Sequence, residues 1–374
     1  MKVALFYHSL VSDWNHGNAH FLRGIARELQ RRGHEVRIFE PACGWSLSHL
    51  LREQGNLPIE DFHRAYPGLW STFYELETLD LDRALDGIDL AIVHEWNDPE
   101  LVRRIGAHHK SARRYRLFFH DTHHRCATAA QSMAAYDLTG YDGVLAYGRA
   151  VRDVYLARGW SERVWVWHEA ADTRLFHPIA NQPKEGDLVW IGNWGDEERT
   201  EELREFLVEP IRSLRIKARF YGVRYPPEAL EEIRAAGIDY GGWLANFRVP
   251  EVFARFRLTA HIPRRPYVAS LPGIPTIRLF EALASAIPLV CAPWPDSENL
   301  FAPGRDYLVA TSGAEMTRLV RQLLEDEPTA RALAAHGRET ILKRHTCAHR
   351  VDELLEIVDS LNRELGSAER WDAL

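Results

Sequence analysis

The chain reads as an α/β protein of two Rossmann-like, doubly wound parallel-sheet domains with a helical C-terminal tail. Three observations predict this: strand and helix patterns alternate along the 374 residues, a proline- and polar-rich stretch near residues 169–186 interrupts them, and the alternation then resumes. The length allows two domains, each burying its own core.

Residues 3–7 read as a buried strand, followed by a loop with Gly17 and Asn18. Phe21, Leu22, Ile25, Ala26 and Leu29 then share one helical face, Gly33 stops that helix, and residues 36–39 return as a strand. This is a βαβ opening. Further strands are expected at 88–93, 116–119, 143–146 and 164–167, with helices at 99–108 and 149–158, while 66–80 reads as loop with some helix. The second series has strands at 188–191, 218–221, 258–262, 289–291 and 307–309, and helices at 197–208, 227–236, 250–256, 275–285 and 314–325. An apolar stripe from Leu333 to Leu361 predicts a helical end. The expected division is a domain at 1–168, a linker at 169–186, a second domain at 187–346, and a helix at 347–374 that crosses back to the first domain.

Composition narrows the function. A hydrophobic share of 46% with 26% charged residues is that of a globular protein, and no apolar run reaches membrane-span length. Met1 and Lys2 lead straight into a strand with no signal-peptide pattern, and the four cysteines stand apart without C-x-x-C spacing, so a cytoplasmic, disulfide-free protein is expected. The net charge of -7 argues against nucleic acid as a partner.

The richest stretch runs from Gly273 to Val290. Pro275 suits a first helical position, Thr276 follows, and Arg278 and Glu281 stand one turn apart on one face. A helix start offers free N–H groups and partial positive charge to a diphosphate, Arg278 adds to the pull, and Glu281 is placed to accept the hydroxyls of a ribose; an ordinary surface pair is the alternative. Gly192 and Asn193 end the first strand of the second domain, where glycine permits close approach to phosphate. Arg199 follows in the next helix, as a diphosphate ligand or an exposed arginine, and Arg264 and Arg265 are rivals for that role. In the first domain, His120, Asp121, His123 and His124 lie past a strand, at the sheet edge where open α/β sheets bind ligands. With Cys126 they lack the spacing of a recognised zinc set, and no metal is expected.

In this order these segments resemble the GT-B glycosyltransferases, and within them the branch related to spore maturation protein CgeB. Residues 16–36 resemble the opening loop and helix of that family, 170–178 its interdomain hinge, and 275–284 with 300–308 its nucleotide-binding half. The resemblance implies a sugar transfer from a nucleotide diphosphate sugar, most commonly a UDP-sugar, to a hydroxyl acceptor in the interdomain cleft, with retention and without a metal or other cofactor. It assigns Glu281 to the donor ribose, places Trp243 and Leu244 in the loop that contacts the nucleobase, and sets His120 against the donor sugar, with Asp121 and His123 as second choices. Trp243 reads equally as a core residue. A family acidic residue near the donor sugar is replaced here by Gly273. A dehydrogenase is disfavoured because Gly17 stands alone where G-x-G-x-x-G would follow the first strand. A nucleotide-sugar epimerase and a non-catalytic nucleotide-sugar binding protein remain the rival readings, separated by product analysis without acceptor and by binding without turnover.

Overall fold

The computed structural model describes residues 1–112 and 114–371, with side chains described as far as residue 364. Residues 372–374 of the expected tail lie outside the described residues. The first sheet comprises β1 (Lys2–Phe6), β2 (Glu35–Pro41), β3 (Ser71–Tyr74), β4 (Leu90–His94), β5 (Arg116–Asp121), β6 (Gly143–Ala146) and β7 (Val164–Val166). They are parallel, in the order β3-β2-β1-β4-β5-β6-β7. The second sheet comprises β8 (Gly186–Ile191), β9 (Ala218–Tyr221), β10 (Ile238–Tyr240), β11 (Phe256–His261), β12 (Leu289–Cys291) and β13 (Leu308–Val309). It is also parallel, ordered β10-β9-β8-β11-β12-β13.

Each sheet starts at its centre, runs to one edge, and resumes on the other side of its first strand. The reversal opens a crevice at the carboxyl ends of β1 and β4 in one domain and of β8 and β11 in the other, the place where such sheets take ligands. Strands such as β4, buried along their whole length, are covered on both faces by helices, which is why they read as continuous apolar runs.

Three local readings are corrected. β3 lies inside the stretch expected to be loop with some helix; as a half-exposed edge strand it carries no apolar run. Pro275 does not open its helix: the helix is Ile277–Ala284, and Thr276, with extended backbone at φ -84° and ψ 161°, precedes it. The helix expected at 197–208 is broken into Thr200–Leu203, a π-turn Arg204–Val208 and Glu209–Leu214. Pro210 has no N–H to give to the preceding turn, and a wider turn just before it accommodates that loss.

The last helix, Cys347–Trp371, returns to the first domain and packs on the helix Ala19–Arg31. Trp167 Nε1 donates to the Arg350 carbonyl at 2.8 Å, Arg32 Nη2 to the Ala348 carbonyl at 2.9 Å, and Ala171 bridges to Thr346. One apolar cluster therefore runs without a break from Leu5 and Phe21 of the first domain to Phe280 of the second and Val351 of the last helix. Among the described residues no helix is long and apolar enough to cross a membrane.

The helix crossing depends on Gly24, where an added Cβ would lie 2.4 Å from Cys347 Sγ. Gly24→Ala is expected to destabilise the protein by about 1–3 kcal/mol through overpacking, read as a lower melting temperature, and Cys347→Ala should restore most of it. A wild-type melting temperature in the single variant would mean that the last helix shifts aside without cost.

Candidate functional site

The carboxyl edges of the two sheets face each other across a cleft of about 730 Å³. Of the residues singled out in the sequence, Gly17, Asn18, His123, Gly192, Asn193, Arg199, Trp243, Leu244, Arg264, Thr276 and Arg278 line it; His120, Asp121 and Glu281 do not.

The second-domain wall is cationic and organised by one asparagine. Asn193 Oδ1 accepts from Arg199 Nη2 at 3.0 Å and from Arg264 Nη2 at 2.9 Å, while its amide donates across the cleft to Asn15 Oδ1 at 2.6 Å. Arg199 also donates to the carbonyls of Asn193 (2.7 Å) and Ile262 (2.9 Å) and lies over the Trp190 ring; its Nε has no partner. No carboxylate pairs with Arg199 among the described residues, and burial followed by the charge of Arg264 pulls its pKa down to about 9. Arg264 is neutralised by Glu198 at 2.6 Å. Arg265, the rival, turns away to Glu202 at 2.8 Å. Gly192 and Gly195 make room for this packing: a Cβ at Gly195 would sit 2.6 Å from Arg199 Cγ, at a φ of +102° that favours glycine.

The helix start completes that wall. Thr276 gives its hydroxyl to contact with His261 Nε2 at 3.0 Å and caps nothing in its own helix, so among the described residues no side chain caps the first-turn N–H groups. Gly17 of the opposite loop comes so close that an added Cβ would lie 3.3 Å from Ile277 Cγ2. Gly273, where an acidic residue was expected from the resemblance, has φ +93°, and a Cβ there would lie 2.4 Å from Ser297 Oγ; the backbone path excludes a side chain.

Glu281 is fully buried beneath this helix start and does not line the cleft. Its Oε1 accepts from Asn246 Nδ2 at 2.6 Å and lies 3.3 Å from His20 Nδ1, and its Oε2 takes Arg278 Nη1 at 2.5 Å. His20 Nε2 accepts the Asp172 backbone N–H at 2.8 Å, which puts the ring proton on Nδ1, facing Glu281. Burial pushes the Glu281 carboxyl up, but the charge of Arg278 and the hydrogen bonds from His20 and Asn246 outweigh it and hold the pKa below its ordinary value. With both oxygens engaged, Glu281 orients Arg278 instead of presenting itself to a ribose.

The histidine cluster divides as well. His120 is 1% exposed, packs among Phe21, His94 and Trp167, and neither of its nitrogens has a partner. Asp121 is an internal strut, accepting from Tyr155 Oη at 2.7 Å and the His123 N–H at 3.0 Å. The two residues therefore lie behind the wall they were expected to form, and His123 is the member of the three that reaches the cleft. His124 beside it crosses to Glu198, with Nε2 3.5 Å from Oε2. Asn18 donates to Thr122 Oγ1 at 2.5 Å. Trp243 lines the cleft and also packs against the cluster of Trp14, Leu50 and Val223.

Several cleft residues escaped the sequence reading. Asp13, which takes Arg23 Nη1 and the Asn246 N–H at 2.9 Å each, and Asn15 belong to the loop before Gly17. Glu169 lies in the stretch read as linker, yet it is 5% exposed, lines the cleft, and no hydrogen bond or ion pair among the described residues engages its carboxyl. Burial, then the charge of Glu281, raises its pKa well above the ordinary range. Its position just past β7 was the available signal, because ligands gather beyond strand carboxyl ends. Glu169 and Glu281 are thus two neighbouring carboxyls whose environments push their pKa values in opposite directions, Glu169 upward by burial and Glu281 downward by Arg278 and its hydrogen bonds.

A glycosyl transferase-like family profile matches residues 199–356, and glycosyltransferase family 4 matches residues 17–175. No curated protein matches the chain in sequence. Among solved structures, sucrose-phosphate synthase of Thermosynechococcus elongatus is similar at TM-score 0.63 and 15% identity, over 98% of this chain and 100% of that one. HepE of Anabaena, solved with UDP and glucose, is similar at 0.66 and 14%, over 96% and 100%. An alpha-glucosyltransferase solved with UDP is similar at 0.69 and 10%, over 96% and 100%. At these identities the structural likeness concerns the fold. With one family match on each domain, it supports a glycosyltransferase of the GT-B fold.

The buried, unpartnered state of His120 has a measurable consequence. Burial lowers its pKa from 6.5 to about 3, so below pH 6.5 the unfolded chain takes up a proton that the folded chain refuses, and stability is lost progressively down to about pH 3. His120→Phe is expected to flatten the fall of melting temperature across this window and to leave the neutral-pH value unchanged or higher. An unaltered acid slope would contradict the neutral, buried ring.

Proposed function

We propose that the protein is a glycosyltransferase that moves a sugar from a nucleotide diphosphate sugar, a UDP-sugar by preference, to a hydroxyl acceptor in the interdomain cleft. The observation that carries the reading is the convergence of Arg199, Arg264, Arg278 and an uncapped helix start on one wall of that cleft. Such a wall fits two phosphates, whose negative charge grows as the bond to the sugar breaks. Arg199, lacking a carboxylate partner, has the most charge to give.

The reaction we propose is retaining and needs no metal or further cofactor. The anomeric carbon loses its bond to the diphosphate oxygen and gains one to the acceptor oxygen on the same face, and the acceptor proton passes to the departing diphosphate. Arg199 and the helix start take up the developing charge, Asn193 holds both arginines in register, and Arg278 is aimed by Glu281. The protonated carboxyl of Glu169 is available to donate to a donor oxygen. To the base we assign Trp243 and Leu244, an assignment supported by their place in the lining of the cleft. We place the chain in the CgeB-like branch and in the cytoplasm, readings supported by the quoted sequence segments and by four unpaired cysteines.

Thermal stabilisation by UDP, GDP, TDP, CMP and ADP tests this. A nucleoside diphosphate is expected to raise the melting temperature, and Arg199→Ala to weaken the binding of that nucleotide at least about tenfold, the loss of one charge-assisted contact set. A folded wild type that responds to none of them would remove the reading, and so would an Arg199→Ala variant that binds as tightly as wild type. Conversion of donor in the absence of acceptor would move it to an epimerase.

A further inference from the structure

The first-domain wall of the cleft differs in kind from the arginine wall, and Trp96 is its centre. This indole follows β4, lines the cleft, and is 41% exposed. One face is covered: the Arg125 guanidinium lies 3.8 Å from the ring centroid. Arg125 is itself held by the fully buried Glu95, through its Oε2 and through its carbonyl at 2.6 Å, and it contacts Tyr136 Oη at 3.4 Å. A buried ion pair thus backs the plate and fixes its angle.

Two imidazoles flank it. The His123 ring meets Trp96 at 5.0 Å and 74°, and the His8 ring lies at 6.2 Å. Both line the cleft, and among the described residues the buried Nδ1 of each has no hydrogen-bond partner. Burial holds both rings below their ordinary pKa, so they are neutral and carry no charge to attract an anion. The plate also adjoins the donor side: His123 contacts His124 at 4.0 Å, and His124 approaches Glu198, the partner of Arg264.

We infer that the acceptor is a neutral carbohydrate whose pyranose ring stacks on the open face of Trp96 and whose hydroxyls pair with His8 and His123. The C–H face of a pyranose is apolar and flat enough to cover an indole, while its rim of hydroxyls can both donate to and accept from a neutral imidazole. An aromatic acceptor would cover Trp96 equally well but would leave the two imidazoles desolvated and unpaired, which is costly. The inference rests on the glycosyltransferase reading for the word acceptor, and on Trp96 and its neighbours for the ligand class.

The test is saturation-transfer NMR with the methyl α- and β-pyranosides of glucose, galactose and mannose, with and without UDP. It uses wild type, Trp96→Ala, Trp96→Phe and Trp70→Ala, the last an exposed tryptophan that does not line the cleft. At least one pyranoside should bind wild type and Trp70→Ala alike. Trp96→Ala should weaken it about tenfold and Trp96→Phe, which keeps a flat ring, less than about threefold. UDP stabilisation and the melting temperature should be the same in all four, which shows that each variant folds. The inference is overturned if no pyranoside binds a wild type that responds to UDP, if Trp96→Ala binds as tightly as wild type, or if benzyl alcohol binds through Trp96 where the pyranosides do not. Pyranoside binding through Trp96 in a protein that ignores every nucleotide would keep the sugar site and remove the transferase reading.

Discussion

The arrangement of the cleft depends on one buried carboxylate. Glu281 joins the two domains: His20 reaches it from the first helix of the chain, Asn246 and Arg278 from the second domain, and Asn246 is tied through Asp13 to Arg23. All of these groups but Arg278, which opens to the cleft, lie at or near full burial, so each needs its partner. Removing one member of a buried ion pair typically costs about 3–5 kcal/mol, mostly for the charge left behind. The relative position of the domains, the aim of Arg278 and the shape of the loop through Asp13 and Asn15 are thereby specified together. A shift of either domain would leave a charge or a donor unpaired, which makes this network a registration device as much as a source of stability.

Around that device the cleft is electrostatically divided. On the second-domain side, Arg199 keeps a charge that no carboxylate pairs with, set among carbonyls and an aromatic ring. On the first-domain side, His8, His94, His120 and His123 are all held neutral by burial. Glu169 and Glu281 repeat the division on a smaller scale, since burial and then the charge of Glu281 raise the pKa of Glu169 while Arg278 and hydrogen bonds lower that of Glu281. An anionic ligand is drawn to one wall and gains nothing from the other. Under the proposed function, this division would sort a diphosphate-bearing donor and an uncharged second substrate by side before any specific contact is made.

The sequence disclosed the fold because both sheets are buried and parallel. Strands such as β1, β4 and β8 are covered on both faces, and their apolar runs mark them without any knowledge of neighbours. The edge strands β3 and β10 lack that cover, and their residues follow no apolar pattern that could separate them from loop. The cleft was legible wherever a strand end or helix start fixes a residue's place, as for Asn193, Arg264, Thr276 and Arg278. Depth was not legible. His120 and His123 stand three apart in one motif, yet one points into the core and the other into the cleft, because β5 ends between them. Glu281 was expected at a ribose because its helical face was correctly placed; what covers that face, His20 of the first domain and Asn246 of a distant loop of its own domain, is contained in no local pattern.

The glycine in place of an expected acidic residue follows from the turn it occupies, whose positive φ and whose neighbours Ser297 and Glu298 belong to its own domain. Gly273 lies in the turn that carries the chain to the helix start, and Ile274 beside it meets Gly148 of the first domain, where an added Cβ would lie 2.5 Å from Ile274 Cγ1. Glu298 stands close to both turns, accepting the Arg149 N–H at 2.7 Å and approaching His168 Nε2 at 2.9 Å. Two glycines and one buried glutamate thus let the domains meet at backbone distance on this side of the cleft. A side chain at Gly273 would collide with Ser297 and Glu298 and push the turn outward. The carboxyl that the family resemblance puts at this position is therefore excluded by the turn's own backbone and by Ser297 and Glu298 of the same domain, and buried carboxyls face the cleft instead from Asp13 and from Glu169, on the segment that joins the domains.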